Sequence, residues 1–131
     1  MAITKPFMIT GLKDRGIENK ERVVLKANAD IEKGRAFLIY DATYDEDGEL
    51  SNQYPHLYEL VLNQSVKKDE IVVIRTTTGK FETDTPANSV KHHRYFWGLE
   101  RTVWNKDKTE IVHVVPVTSA ATKGTFSPLK K

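Results

Sequence analysis

The chain contains no cysteine among its 131 residues. Disulfides, thiolate metal sites, cysteine nucleophiles and thiol redox switches are therefore excluded. No apolar run is long enough to span a bilayer. Neither sign of charge dominates, since 20 Lys and Arg residues are balanced by 18 Asp and Glu residues. This balance does not indicate a nucleic-acid-binding protein. The sequence predicts a protein without membrane contact that is cytoplasmic or part of a virion.

The motifs of common catalytic sites are absent as well. There is no G-x-S-x-G, no glycine-rich phosphate loop and no H-E-x-x-H. Asp45, Asp47 and Glu49 alternate as calcium ligands can, but Gly48 stands fourth in the run, where the calcium loop of a helix–loop–helix hand has its glycine sixth. We expect a solvated hairpin tip there. The sequence predicts no metal site, no cofactor and no enzymatic activity.

The chain is instead rich in short runs that alternate apolar and polar residues, with many β-branched and aromatic side chains, which is the pattern of β-strands. Asp47-Gly48 is a hairpin turn pair, so 40–44 and 56–60 are expected to be the arms of a hairpin. The pattern predicts an all-β fold, either a sandwich or a small barrel. Seven strands are predicted, at 6–10, 21–27, 35–44, 56–61, 70–77, 92–97 and 110–118.

One β domain is expected over residues 1–118, followed by a tail over 119–131 that is flexible or docked on a partner. The tail consists of small, polar and basic residues with Gly and Pro. Phe126 and Leu129 are its sizeable apolar residues and would be its anchors.

The stretch HHRYFWGLERTVWNKD, residues 92–107, holds both tryptophans and two of the four histidines. His92 and His93 are neighbours on a predicted strand, so their side chains point to opposite faces and do not easily share a metal ion. A hydrolase that uses His92 or His93 with a loop carboxylate is one alternative. It requires a concave pocket that contains a histidine and an acidic neighbour.

Residues 91–101, which overlap this stretch, include basic and aromatic side chains, a combination that binds single-stranded nucleic acid on small β domains. Nucleic-acid binding through this surface is a second alternative. It is not favoured, because strand alternation places Tyr95 and Trp97 on one face as core residues, and tryptophan in a small β domain is more often core. The candidate contact residues are Lys91, Arg94 and Arg101.

Trp97-Gly98-Leu99, then the segment TVWNKD at 102–107 and the apolar run 111–115, resemble the C-terminal half of the lamin-tail domain. The resemblance extends over about residues 20–116, through ERVVLKA, FLIYDATY and SVKKDEIVVIRTTTGK. It differs from the family's W-N-N-x-G-D turn, since Asp107-Lys108 replaces the glycine–aspartate pair. There is no coiled-coil rod and no prenylation box, so filament and nuclear-envelope roles are not implied.

The resemblance implies an immunoglobulin-like β-sandwich of about seven to nine short antiparallel strands that serves as an interaction module. Trp104→Ala is expected to unfold it. The run 111–117 is apolar on both faces, which predicts a strand covered on both sides. The residues expected to form or support the core are Tyr40, Trp97, Val103, Trp104, Asn105 and Asp107.

Together these patterns predict a non-enzymatic structural or interaction protein. Its partner is another protein or a second copy of the chain, and a subunit of a phage or phage-like particle is one concrete form. The candidate interaction residues are Lys91, Arg94, Arg101, Phe126 and Leu129.

Overall fold

The structure of the protein, a computed structural model, describes residues 5–43, 56–99, 102–104 and 110–117. Within these ranges the chain is all-β, with eight strands and no helix, and so it contains no helix that could cross a membrane. The strands are β1 (Phe7–Lys13), β2 (Arg22–Ala27), β3 (Ala36–Thr43), β4 (Leu57–Val61), β5 (Ile71–Arg75), β6 (Glu82–Asp84), β7 (His92–Phe96) and β8 (Glu110–Val117).

The strands form two sheets. One has five strands in the order β1-β2-β5-β7-β6, and the other has three in the order β4-β3-β8. The expectation of antiparallel strands throughout is wrong for one pair, because β5 and β7 are parallel. The chain leaves β5, runs back in β6 on the far side of β7, and then enters β7 in the direction of β5.

The core lies between the two sheets and follows from the alternation of side chains along each strand. In the five-stranded sheet, Val23 pairs with Ile74 and Leu25 with Val72, and all four are buried. Phe7 and Phe37 join the two sheets through an edge-to-face contact with ring centroids 4.9 Å apart. The other large buried apolar residues between the sheets include Ile39, Leu60, Leu62, Tyr95 and Trp104.

Each of the seven predicted segments overlaps an observed strand, and six of them contain it whole, whereas β1 continues three residues beyond its predicted end, to Lys13. The expected hairpin is present as the antiparallel pair β3–β4. Its tip, residues 44–55, lies outside the described residues. The sequence analysis missed β6, which has only three residues, two of them acidic. Such a segment shows neither an apolar alternation nor the usual length of a strand.

The apolar run predicts that β8 is covered on both faces, but the structure shows it covered on one face. It is an edge strand of the three-stranded sheet, and only its inner side packs against the core. Val112 on the inner side is buried, whereas Val115 on the outer side is 41% exposed. The apolar residues of the outer side are therefore solvent-facing surface, which sequence alternation alone cannot distinguish from a covered strand.

Candidate functional site

Two segments of the stretch 92–107 are described, and they make structural contacts. Trp104 is buried at 1% exposure, and Trp97 packs on it edge-to-face with ring centroids 5.8 Å apart. Val103 is also buried, and Tyr58 of β4 packs on the other side of Trp97 at 5.5 Å. Gly98, directly after Trp97, turns the chain with a φ of 90°, a conformation that glycine adopts without strain. These side chains close one end of the core.

Glu21 holds the segment 102–104 in place. Its carboxylate is buried and accepts hydrogen bonds from the backbone N–H groups of Val103, at 2.6 Å, and Trp104, at 2.9 Å. It also accepts one from the N–H of Gly16, at 2.8 Å. These bonds satisfy donors that would otherwise be buried without a partner. No local sequence pattern predicts this role, since a glutamate before an apolar strand normally indicates solvated surface.

His93 is the fully buried histidine of β7, with 0% of its surface exposed. Its Nε2 lies 2.9 Å from Oε1 of Glu70, and its Nδ1 has no hydrogen-bond partner among the described residues. Burial by itself raises the pKa of Glu70, but hydrogen bonds from His93 and from the N–H of Lys67, together with nearby positive charge, outweigh it and lower the pKa below its ordinary value.

The hydrolase alternative requires a histidine and a carboxylate in an open pocket. His93 has the acidic neighbour but is closed off from solvent, so no substrate can reach it. His92 lies on the opposite side of β7, where its Nδ1 is 2.8 Å from the carbonyl oxygen of Val90. Among the residues that the structure describes, no cluster of three or more His, Asp or Glu side chains could hold a metal ion.

His56 and His113 lie on the other sheet. The N–H of His56 donates to Oδ1 of the buried Asp41 at 2.6 Å, and its Nδ1 lies 3.4 Å from Oδ2 of the same carboxylate. This contact fixes the start of β4 against β3. His113 on β8 stacks on Tyr40 with ring centroids 4.8 Å apart.

The basic and aromatic surface expected to suit nucleic acid is largely occupied by contacts within the protein. The Nζ of Lys91 donates to Oε1 of Gln64 at 2.9 Å, and Arg94 forms an ion pair with Asp84 at 2.9 Å. Tyr95 is buried and its hydroxyl accepts a hydrogen bond from the N–H of Asn63. Phe96 covers Gly79, where a Cβ would meet its ring at 2.5 Å. Among the described residues of this surface, the aromatic side chains do not form a row of exposed faces on which bases could stack.

Tyr40, which the sequence analysis assigns to the core, is half-buried on the opposite side of β3. Alternation along β3 directs Phe37 and Ile39 into the core, so Leu38 and Tyr40 point outward. Tyr40 lies between Leu57 of β4 and His113 of β8 in the paired register. It belongs to a surface that the sequence analysis did not predict.

We call this surface the outer apolar face. It is the outer side of the three-stranded sheet, on which Ala36 is buried. Its nine residues form three rows: Val61, Ala36 and Val117; Glu59, Leu38 and Val115; Leu57, Tyr40 and His113. Glu59 is its one residue with a formal charge at neutral pH. Leu57 is 58% exposed and Val61 43% exposed. A contiguous exposed apolar patch is a candidate interaction surface.

A groove of about 340 Å³ lies beside this sheet, between β1 and β8. Ile9 pairs with the buried Leu25 and so points to the inner side of its sheet, but it is 42% exposed at this edge. The groove lining is mainly apolar and contains no histidine. It consists of Lys5, Phe7, Met8, Ile9, Asn28, Val112 and Val114.

The remaining expected site residues lie outside the described residues. These are Asn105 and Asp107 of the predicted turn, Arg101 of the basic surface, and Phe126 and Leu129 of the tail. Comparison of the chain with protein-family models, with curated proteins and with solved structures finds no match.

Proposed function

We propose that the chain is a non-enzymatic interaction module that binds a protein partner, or further copies of itself, through the outer apolar face. The observation that carries this proposal is the cluster of exposed apolar side chains on that face. Three exposed apolar side chains, Leu57, Val61 and Val115, flank the half-buried Leu38 on a regular sheet. Burying them against another protein removes apolar area from water, which is the main favourable term in association.

The size of the face sets a limit on what it does alone. Three strands about 4.8 Å apart, over five residues of about 3.4 Å each, give a footprint of roughly 240 Å². A stable interface buries about 800 Å² on each partner. We therefore expect the contact to include surface beyond this face, as it does for a subunit within a larger assembly.

The fold family and the kind of assembly are part of the same proposal. An immunoglobulin-like sandwich related to the lamin-tail domain is consistent with two packed sheets and a strand–turn segment that carries Trp97 and Trp104. A subunit of a phage or phage-like particle is the form of assembly we favour, because a β module with an exposed apolar sheet face needs partners to cover it.

The test is the native mass of the chain, purified gently from its own source and measured by light scattering at low and high salt. We expect a mass above the 15.0 kDa of one chain that persists in high salt, because apolar contact is not screened. Leu57→Lys places a charge on the outer apolar face and should lower the mass.

Ile17→Lys is the matched control, since Ile17 is 45% exposed and lies outside the three-stranded sheet. It should leave the mass unchanged. A wild-type protein that is a monomer under all conditions contradicts the proposal, and so does a Leu57→Lys protein with the mass of the wild type. A mass that collapses in high salt and after charge reversal at Lys91 and Arg94 would favour nucleic-acid binding instead.

A further inference from the structure

The two sheets have four edge strands, and three of them are protected against pairing with a copy of themselves. An edge strand offers free backbone N–H and C=O groups to any extended chain, and proteins usually block it with bulges, charges or short length. β1 has a register shift between Ile9 and Gly11. β6 has three residues with acids at both ends. β4 carries Glu59 at its middle, so antiparallel self-pairing would bring two glutamates together.

β8 has no register shift, is not short and carries a fixed charge only at its first residue, Glu110; Pro116 is the one further protection at this edge. The strand pairs with β3 over eight residues without a register shift, from Thr43–Glu110 to Ala36–Val117. Its residues 111–117, IVHVVPV, include no Asp, Glu, Lys or Arg. Pro116 is consistent with an edge position, since proline cannot donate to a ladder on both sides. At about 3.4 Å per residue, β8 presents an edge roughly 27 Å long.

We propose that β8 of a second copy of the chain adds antiparallel to this edge, joining the two three-stranded sheets into one sheet of six strands. The charge pattern selects a second copy as the partner. Of the four described edge strands, β8 is the one that can pair with its own copy without placing like charges opposite each other and without a bulge. The inference goes beyond the proposed function, since it places a contact between copies at the β8 edge and not on the outer apolar face. A two-fold axis perpendicular to the sheet relates the two copies.

This pairing also accounts for the groove beside β8. Strands in a sheet lie about 4.8 Å apart. A copy of β8 at that distance has its Val112 and Val114 on the inner side of the sheet, as the first copy does. These side chains then lie beside the groove and cover the exposed Ile9. The two outer apolar faces become one surface of about twice the area of either.

The cysteine-free sequence makes a disulfide scan the direct test. Single cysteines are placed at each position from Val112 to Val115 in the full chain, and the protein is treated with a mild oxidant. A two-fold antiparallel pairing brings one residue of β8 opposite its own copy, within the Cα separation of about 4.4–6.8 Å that a disulfide requires. We expect a covalent dimer that is strongest at one position and declines on both sides of it.

Ile17→Cys is the matched control, because Ile17 is 45% exposed and lies neither on the outer apolar face nor in β8. It should stay monomeric. Equal crosslinking at Ile17 and along β8 would reflect random collision and overturn the inference, as would the absence of crosslinking at all four β8 positions. Thermal melting of each variant before oxidation confirms that it is folded.

The scan is repeated in the Leu57→Lys background to separate this inference from the proposed function. Crosslinking that persists there supports a β8 contact independent of the outer apolar face. Crosslinking that is lost there shows that the outer face holds the copies together, and overturns edge pairing. If Leu57→Lys lowers the native mass but no β8 cysteine crosslinks, the inference fails while the proposed function stands. If neither occurs, both fail.

Discussion

Replacing Glu21 by alanine removes the one side chain that ties three backbone N–H groups together. Those of Val103 and Trp104 are buried, and that of Gly16 is partly buried and can turn to water. A buried donor left without a partner costs about 1–3 kcal/mol. Two such donors cost about 4 kcal/mol. A part of this is offset, because the variant no longer has to keep a carboxylate buried away from water. We expect Glu21→Ala to lower the free energy of unfolding by about 3 kcal/mol.

The assay is urea unfolding followed by the fluorescence of the two tryptophans, Trp97 and Trp104, which lie at the affected end of the core. Glu21→Gln keeps one acceptor oxygen and should lose less than Glu21→Ala. Glu32→Ala, at an exposed position, is the control and should stay within about 0.5 kcal/mol of the wild type. If Glu21→Ala is as stable as Glu32→Ala, the carboxylate does not hold the segment and the reasoning is refuted.

Three further predictions concern single side chains. Trp104→Ala should lower the free energy of unfolding by about 3–5 kcal/mol, because a large buried aromatic is truncated; a melting temperature within a degree or two of the wild type would contradict this. The pKa of Glu70 is lowered in the folded state, so the stability this group contributes is present at neutral pH and is lost as the pH falls through its folded-state pKa. Glu70→Gln should accordingly flatten the acid side of the stability curve, and an unchanged acid slope would argue against the His93–Glu70 contact. Burial, with a smaller effect of Tyr95, raises the pKa of Tyr58 to about 12 from the ordinary 10.0. The unfolded chain therefore loses this proton at a lower pH than the folded protein, and the free energy of unfolding should decline above about pH 10. Urea unfolding across the alkaline range should show a smaller decline for Tyr58→Phe.

The sequence predicts the β character of the chain and most of its strands, because alternation is a local property. β2 shows it plainly, with Val23, Leu25 and Ala27 buried and the residues between them partly exposed. The β3–β4 hairpin is predictable for the same reason, since its turn signal and both arms are close in sequence. The tryptophan-containing segment could be assigned to the core because large aromatic side chains are costly to leave exposed.

The missed features depend on contacts between distant parts of the chain. Glu21 meets the N–H groups of Val103 and Trp104 only after the two sheets have packed. Alternation shows which residues of β8 share a face, but it does not show which face is covered. The outer apolar face could therefore not be predicted from the run 110–118. The parallel pairing of β5 and β7 likewise depends on where β6 is placed, which no short-range pattern specifies.

The position of β3 between β4 and β8 has a consequence for the order of folding. β4 follows β3 directly and can pair with it early, whereas β8 reaches β3 only after β4, β5, β6 and β7 have been synthesised. Closing so long a loop is entropically costly, and folds dominated by such distant pairings form slowly. Until β8 arrives, the nascent chain exposes one side of β3, with Phe37 and Ile39 near an unpaired edge. That interval during synthesis is when the chain is most exposed to aggregation and most dependent on chaperones.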